Sequence, residues 1–79
     1  MPTLLFIKGF RFFFYSNENN EPSHVHVTKG DAEGKIWLEP VVFAYLHNFT
    51  KAEEKDIIEI MSEHAETLKM KWYEYFRKK

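Results

Sequence analysis

His24 and His26 stand two residues apart, and each carries an imidazole that can bind a metal ion or move a proton. In an extended strand, side chains at this spacing point to the same side, with backbones about 6 to 7 Å apart. Two imidazoles at that distance can share a zinc ion, and either can act as a general base near neutral pH. A lone His-X-His is a weak ligand signature, so packing of both rings against neighbouring strands is the favoured alternative.

A metal site would need further ligands from elsewhere in the chain. Glu33 or Glu39 can supply a carboxylate, and His47 or His64 a nitrogen, if the fold brings them near. The chain has no cysteine, which leaves neither thiolate ligands nor disulfides. Metal binding is therefore a hypothesis about the two histidines alone, and no cofactor is expected.

Residues 21–39 read EPSHVHVTKGDAEGKIWLE and position the two histidines. Val25 and Val27 alternate with polar side chains, and β-branched residues at every second position predict a half-buried strand. A second alternating run follows, and the two runs meet at Gly30 and Asp31. Gly30 can take the positive φ that a type II′ turn needs at its first central position, so this pair is the predicted hairpin loop.

The two-residue loop fixes which residues face each other across the hairpin. A slip of one residue would exchange the two faces, since successive side chains point to opposite sides. The predicted pairs are Lys29–Ala32, Thr28–Glu33, Val27–Gly34, His26–Lys35, Val25–Ile36 and His24–Trp37. Six side chains then share one polar face: His24, His26, Thr28, Glu33, Lys35 and Trp37.

A first hairpin is predicted upstream, where apolar runs at residues 3–7 and 10–15 flank Lys8 and Gly9. Both of its faces are apolar apart from Lys8 and Arg11, so it must be central in its sheet or covered on both sides. In so short a chain the second cover can come from another copy, which makes a homodimer one hypothesis. The predicted pairs are Ile7–Phe10, Phe6–Arg11, Leu5–Phe12 and Leu4–Phe13.

Two segments have weaker patterns. Residues 16–22 are polar without apolar periodicity and predict a loop. Residues 41–46 are apolar at nearly every position, which fits a helix as well as a strand. A short turn or helix packed over the sheet is favoured there, because Asn48 follows and tolerates the left-handed conformation that ends a helix.

The clearest element is a helix that begins after Thr50. Thr50 and Glu53 have capping-box spacing, and Phe49 is placed to act as a hydrophobic staple. A helix unbroken to Arg77 would be about 42 Å long, longer than the ~30 Å diameter of so small a domain, so it overhangs toward a partner or bends near one end. Its apolar stripe, which must lie on the sheet, is Ile57, Ile60, Met61, Ala65, Leu68, Trp72, Tyr75 and Phe76.

These elements predict a single α+β domain over residues 1–79: a small antiparallel sheet of about four strands, built from two hairpins, with one long C-terminal helix packed on it. The net charge of −1 gives no electrostatic argument for a nucleic-acid or membrane binder. No stretch approaches the ~20 apolar residues that span a bilayer, and no basic start precedes an apolar run. A cytoplasmic protein without membrane contact is expected.

Several motifs occur in one order along the chain. They are MPTLLFIKGFRFFFYSNE at the start, PSHVHV and GKIWLEPV in the middle, FTKAEEKDI at the helix start and WYEYF near the end. The chain resembles, nearly end to end, a family of small bacterial and archaeal proteins known as domain of unknown function 4160. It departs from the common pattern at Ser23, where a second proline is frequent, and at Asn48, where glycine is usual. The resemblance implies a cytoplasmic prokaryotic protein, of a kind proposed to belong to toxin–antitoxin-like gene pairs, with no settled activity.

Three functions are compatible with the polar face and Arg11 beside it. An RNA-binding face would stack bases on Trp37 and the two histidines, although no RRM motif or glycine-rich phosphate loop is present. A metal or acid–base site, in a nuclease-like protein, would use the histidines with Lys35 or Arg11 stabilising charge. A protein-interaction module would bury the first hairpin and the aromatic end of the helix against a partner.

The favoured function is a non-enzymatic binding protein of a regulatory or toxin–antitoxin-like gene pair. Its partner is expected to be a second copy or the product of a neighbouring gene, with RNA as the alternative, and no residue is assigned a catalytic role. The candidate binding face consists of His24, His26, Trp37, Lys35, Arg11 and Glu33, and the candidate metal ligands are His24 and His26.

Overall fold

The computed structural model describes residues 3–15 and 21–77. Within these residues, five strands form one antiparallel sheet in chain order, and a single long helix follows them. The predicted α+β class is confirmed, with five strands rather than about four. The predicted loop at residues 16–22 lies mostly outside the described residues. The elements are β1 (Thr3–Ile7), β2 (Phe10–Phe13), β3 (His24–Lys29), β4 (Ala32–Leu38), β5 (Val41–His47) and α1 (Lys51–Arg77).

The β1–β2 hairpin turns at Lys8 and Gly9, which both have positive φ, 55° and 83°. Three of its four predicted pairs are confirmed, but the pairing of Leu4 with Phe13 was wrong, because Thr3 takes that place. The register shifts between Thr3 and Leu5, as it does at a β-bulge. Leu4 and Leu5 consequently both pack against the hydrophobic core.

The β3–β4 hairpin has the predicted register at every one of its six pairs. Gly30 has a φ of 59°, the positive value that the predicted turn requires. Val25, Val27 and Ile36 are fully buried on the side of the sheet that packs on α1. The polar side chains of both strands therefore project from the opposite side.

Residues 41–47 form the edge strand β5, so the prediction of a short turn or helix there was wrong. Asn48 does have a positive φ of 69°, but it follows a strand. The reason is long-range pairing: β5 lies along β4, with a register shift opposite Lys35 and Ile36. That irregularity breaks the two-residue period, which left the run of apolar residues without a strand signal.

Gly34 permits the close approach of β5 to β4. A Cβ atom built on Gly34 would lie 2.6 Å from Leu46 Cδ2, 2.9 Å from the Tyr45 carbonyl oxygen and 3.3 Å from Val27 Cγ1. Contacts below 3 Å force neighbouring atoms to move, and a backbone oxygen in a ladder has little freedom to do so. The glycine is therefore required by packing.

The variant Gly34→Ala should lower the free energy of unfolding by about 1 to 3 kcal/mol, because the added methyl group displaces β5. Urea denaturation measures the loss. The matched control is Glu33→Ala, a change at the exposed neighbouring position that should stay within about 0.5 kcal/mol of wild type. An alanine at position 34 that proved as harmless as the one at position 33 would contradict the close approach.

Helix α1 is continuous over 27 residues, about 40 Å at ~1.5 Å per residue, and the long dimension of the molecule is 38 Å. The predicted stripe is largely confirmed: its five buried members are Ile57, Ile60, Met61, Leu68 and Trp72. Tyr75 is instead 42% exposed. The described part of the chain contains no helix long and apolar enough to cross a membrane.

The predicted capping box is present at the start of α1. The Glu53 amide donates to Thr50 Oγ1 at 3.1 Å, and the Thr50 amide donates to Glu53 Oε1 at 2.9 Å. Phe49 packs against the core with its ring 6.0 Å from that of Phe10. Lys29 of β3 lies 3.5 Å from the Glu53 carboxylate and ties the helix start to the sheet.

Thr50→Ala should lower the free energy of unfolding by about 1 kcal/mol, because it removes the acceptor for the Glu53 amide. Thr67→Ala is the matched control, since Thr67 is exposed within the same helix and alanine has the higher helix propensity. The control should be as stable as wild type or slightly more stable. Equal losses of unfolding free energy in the two variants would show that the Thr50 cap contributes nothing beyond the helix propensity of the residue.

Candidate functional site

The candidate residues lie on the outer face, defined as the side of the sheet opposite the buried side chains of Val25, Val27 and Ile36; the end of α1 reaches this face at His24. The cross-strand pairs arrange this face in three rows. All six predicted binding-face residues belong to it. The first row is Phe6, Arg11, Thr28, Glu33 and His47, the second is Phe13, His26, Lys35 and Tyr45, and the third is His24, Trp37 and Val42.

His24 was predicted as part of the candidate binding face, but it is fully buried, so its imidazole is not accessible at the surface. Its ring lies 4.9 Å from that of Trp72 on α1 and 5.5 Å from that of Trp37. Its Nδ1 lies 3.0 Å from the Pro22 carbonyl oxygen, which can only accept, so Nδ1 carries the proton. The end of α1 and the segment before β3 cover the imidazole.

His26 is half-buried among aromatic rings. Its ring stacks on Phe13 with centroids 5.6 Å apart, and the rings of Tyr15 and His24 lie 5.0 and 5.2 Å away. The alternative to a metal site was that both histidines pack against neighbouring strands. Its two contacts, of His24 with Trp37 and of His26 with Lys35, are both present. These contacts fix the His26 ring in the middle of the outer face.

The described part of the chain places no further metal ligands beside His24 and His26. Among residues 3–15 and 21–77, no three His, Asp or Glu side chains are grouped so as to hold a metal ion. Glu39 accepts hydrogen bonds near the end of α1, and His64 lies beside Glu63. Zinc needs four ligands in a closed site or three in an open one. Metal binding stays a prediction about two histidines, of which one is buried.

Two cations of the outer face lie over aromatic rings. Lys35 Nζ is 4.4 Å from the centroid of Trp37 and 3.0 Å from Glu21 Oε1. The Arg11 guanidinium is 5.1 Å from the centroid of Phe13. Glu33 adds a negative charge in the same row as Arg11. The positive charge of this face is therefore offset by carboxylates.

Sequence reasoning missed four exposed apolar side chains of the outer face: three belong to its rows, and the fourth, Tyr15, has ring contacts with Phe13 and His26 of the second row. Phe6 is 67% exposed, Val42 50%, Tyr45 47% and Tyr15 43%. Val42 and Tyr45 were missed because β5 was not predicted as a strand. Phe6 was paired correctly with Arg11, and that pairing was the signal that could have added it to the face. The face is thus more apolar than the six predicted residues indicate.

Glu39 joins the sheet to the end of α1, another contact that the sequence did not reveal. Its Oε2 accepts a hydrogen bond from the Tyr73 hydroxyl and one of 2.8 Å from Ser23 Oγ. These bonds, the Tyr73 bond first, hold the pKa of the Glu39 carboxyl below its ordinary value, and the charge of Lys69 acts in the same direction. The Tyr73 bond also raises the pKa of the phenol.

Comparison with known families supports the resemblance seen in the motifs. The family described as Domain of unknown function (DUF4160) matches residues 9–73. The chain belongs to this family. The matched part of the DUF4160 protein runs from the turn before β2 into the last turns of α1. No curated protein and no solved structure is significantly similar to it.

Glu39→Gln should destabilise the DUF4160 protein at neutral pH, because an amide oxygen accepts hydrogen bonds more weakly than a carboxylate. The folded-state pKa of Glu39 is lowered, so its contribution is present above the ordinary value of 4.5 and is lost as the pH falls through the folded value. The difference in the free energy of unfolding between wild type and the variant, measured by urea denaturation, should therefore be present at about pH 7 and shrink toward about pH 3. Glu74→Gln, at an exposed position on α1, is the control and should show a smaller gap at neutral pH. A Glu39→Gln gap that stays constant with pH would contradict this role.

Proposed function

We propose that this DUF4160 protein is a non-enzymatic, cytoplasmic binding protein of a regulatory, toxin–antitoxin-like gene pair, and that its outer face receives a protein partner. The observation that carries this proposal is the exposed apolar surface on the side of the sheet opposite α1. Its largest contributors are Phe6, Tyr15, Val42 and Tyr45. Phe6 lies on β1, whereas Val42 and Tyr45 lie on β5, so a partner that covers them spans the sheet from one edge to the other.

The free energy gained by burying the exposed aromatic side chains indicates that a partner must cover more than these rings. Burying the exposed parts of Phe6, Tyr15 and Tyr45 removes roughly 300 Å² of surface, or about 7 kcal/mol at ~25 cal/mol per Å². Association costs on the order of 4 to 15 kcal/mol in lost freedom of motion. A stable complex therefore also needs the polar row that contains Arg11 and Glu33.

The balance of charge favours a protein over RNA as the partner. RNA-binding surfaces derive much of their affinity from cations that neutralise phosphates. On the outer face, Lys35 is paired with Glu21, and Glu33 shares a row with Arg11. A matching partner surface has apolar side chains to meet Phe6 and Tyr45 at the two edges of the sheet, and a cation to meet Glu33 between them.

The surroundings of the histidines support binding over catalysis. A general base has to reach the proton that it removes, within about 3 Å or through one water. His24 is fully buried, and His26 lies against the rings of Phe13 and Tyr15. Both imidazoles contribute to the framework under the exposed aromatic surface.

The test is an NMR shift map of the isotope-labelled protein against three probes: the purified products of the flanking genes, a pool of short single-stranded RNAs, and zinc. A flanking gene product should shift the amide signals of Phe6, Val42 and Tyr45. Phe6→Ser combined with Tyr45→Ser should weaken that complex about ten-fold or more, since buried aromatic anchors dominate interface energies. Met70→Ser is the matched control, because Met70 is 61% exposed on α1 and lies outside the outer face.

Three results would argue against a protein partner on the outer face. RNA that shifted the same signals at low salt would replace it with a nucleic acid. Zinc that shifted the His26 ring signals would support the metal hypothesis instead. A flanking gene product that bound the double variant as tightly as wild type would move the interface elsewhere.

A further inference from the structure

β5 is an edge strand of the sheet, and it is apolar on both sides. Residues 41–47 read VVFAYLH and include no lysine, proline, glycine or acidic residue. Val41 is 41% exposed, Val42 50% and Tyr45 47%. Proteins commonly protect an edge strand with charged side chains or proline, because an exposed apolar edge readily pairs with another strand. β5 has neither kind of protection.

The exposed valines of β5 lie on opposite sides of the sheet. Val41 pairs with the buried Leu38 and projects toward α1, where it lines the groove between β5 and α1. Val42 pairs with Trp37 and projects to the outer face. A helix or loop laid on the outer face would reach Val42 but not Val41. An element that contacts both valines has to lie along the edge itself.

The backbone of the edge indicates what kind of element fits there. Among residues 3–15 and 21–77, β5 has one neighbouring strand, β4. The other side of its backbone therefore presents a row of N–H and C=O groups that an extended segment can pair with. Such a segment places successive side chains on opposite sides of the sheet, so it covers Val41 with one residue and Val42 with the next. A helix satisfies its backbone groups internally and cannot pair with the edge.

A bulge limits which part of β5 an added segment can follow. Ala44 has no pair in β4, at the point where the register of the ladder shifts. A bulge bends its strand, so an added segment aligns with β5 on one side of Ala44 only. Residues 41–43 offer exposed valines on both faces, whereas Leu46, beyond the bulge, is half-buried against the core. The bend also hinders indiscriminate pairing of one edge with another.

We propose that the protein partner of the outer face contributes an extended segment that pairs with residues 41–43 as a sixth strand. This inference rests on the proposed function and names the element through which the partner engages β5. The segment has apolar side chains at two successive positions, one against Val41 and one against Val42. Glu63 and Glu66 also line the groove beside Val41, so acidic residues are disfavoured on the helix side of the segment.

The test places a lysine on each side of the edge and measures binding of the purified products of the flanking genes by calorimetry. Val41→Lys and Val42→Lys should each raise the Kd about ten-fold or more, because each puts a charge where the segment packs. Met70→Lys is the matched control, since Met70 is an exposed apolar residue of α1 and the change adds the same charge. Its Kd should equal that of wild type. Circular dichroism should show the same fold in all three variants.

A second measurement detects the added strand directly. In a complex of the isotope-labelled chain with the unlabelled gene product, isotope-filtered NMR should show backbone contacts between residues 41–43 and an extended segment of the product. Such contacts arise from strand pairing and not from packing of side chains on the outer face alone.

The outcomes separate this inference from the proposed function. If no flanking gene product binds, both are overturned. If Val42→Lys weakens the complex and Val41→Lys does not, the partner lies on the outer face alone, so the added strand is overturned and the proposed function stands. If sedimentation velocity shows that the chain alone forms a dimer that either lysine dissociates, the added strand comes from a second copy, which overturns the partner segment.

Discussion

The register of the β3–β4 hairpin determines which side chains the rest of the molecule can use. Gly30 adopts a positive φ, and the two-residue loop that it begins aligns all six pairs of the hairpin. Val25, Val27 and Ile36 consequently lie under α1. A shift of one residue would turn these side chains outward and bring charged ones into the core, at a cost of several kcal/mol. Both surfaces of the sheet follow from this alignment.

The end of α1 then fixes one edge of the outer face. Trp72 packs on His24, and Tyr73 donates a hydrogen bond to Glu39 at the end of β4. The two contacts are adjacent in the helix and reach residues on neighbouring strands. Helix and sheet are thereby joined at the row that contains Trp37, whose indole lies 5.5 Å from the His24 ring. Rigid support of this kind lowers the entropy lost when a surface binds.

Sequence reasoning succeeded where the determining interactions are local. Turn residues specify both hairpins, and Thr50 and Glu53 specify the helix start, because each acts over a few residues. It failed at β5, whose strand conformation depends on pairing with β4, and at His24, whose burial depends on a tryptophan far along the chain. The six candidate residues were correctly assigned to one face, but exposure on that face is set by long-range packing. The apolar residues that dominate it therefore became visible only in the fold.

This small two-layer fold leaves apolar side chains exposed on both sides of the sheet, and β5 contributes to both surfaces. Phe43 points to the groove beside α1, whereas Val42 and Tyr45 point to the outer face. Because successive side chains of a strand project to opposite sides, each surface has its own residues although the backbone is shared. Each surface can therefore be changed by substitution without altering the other.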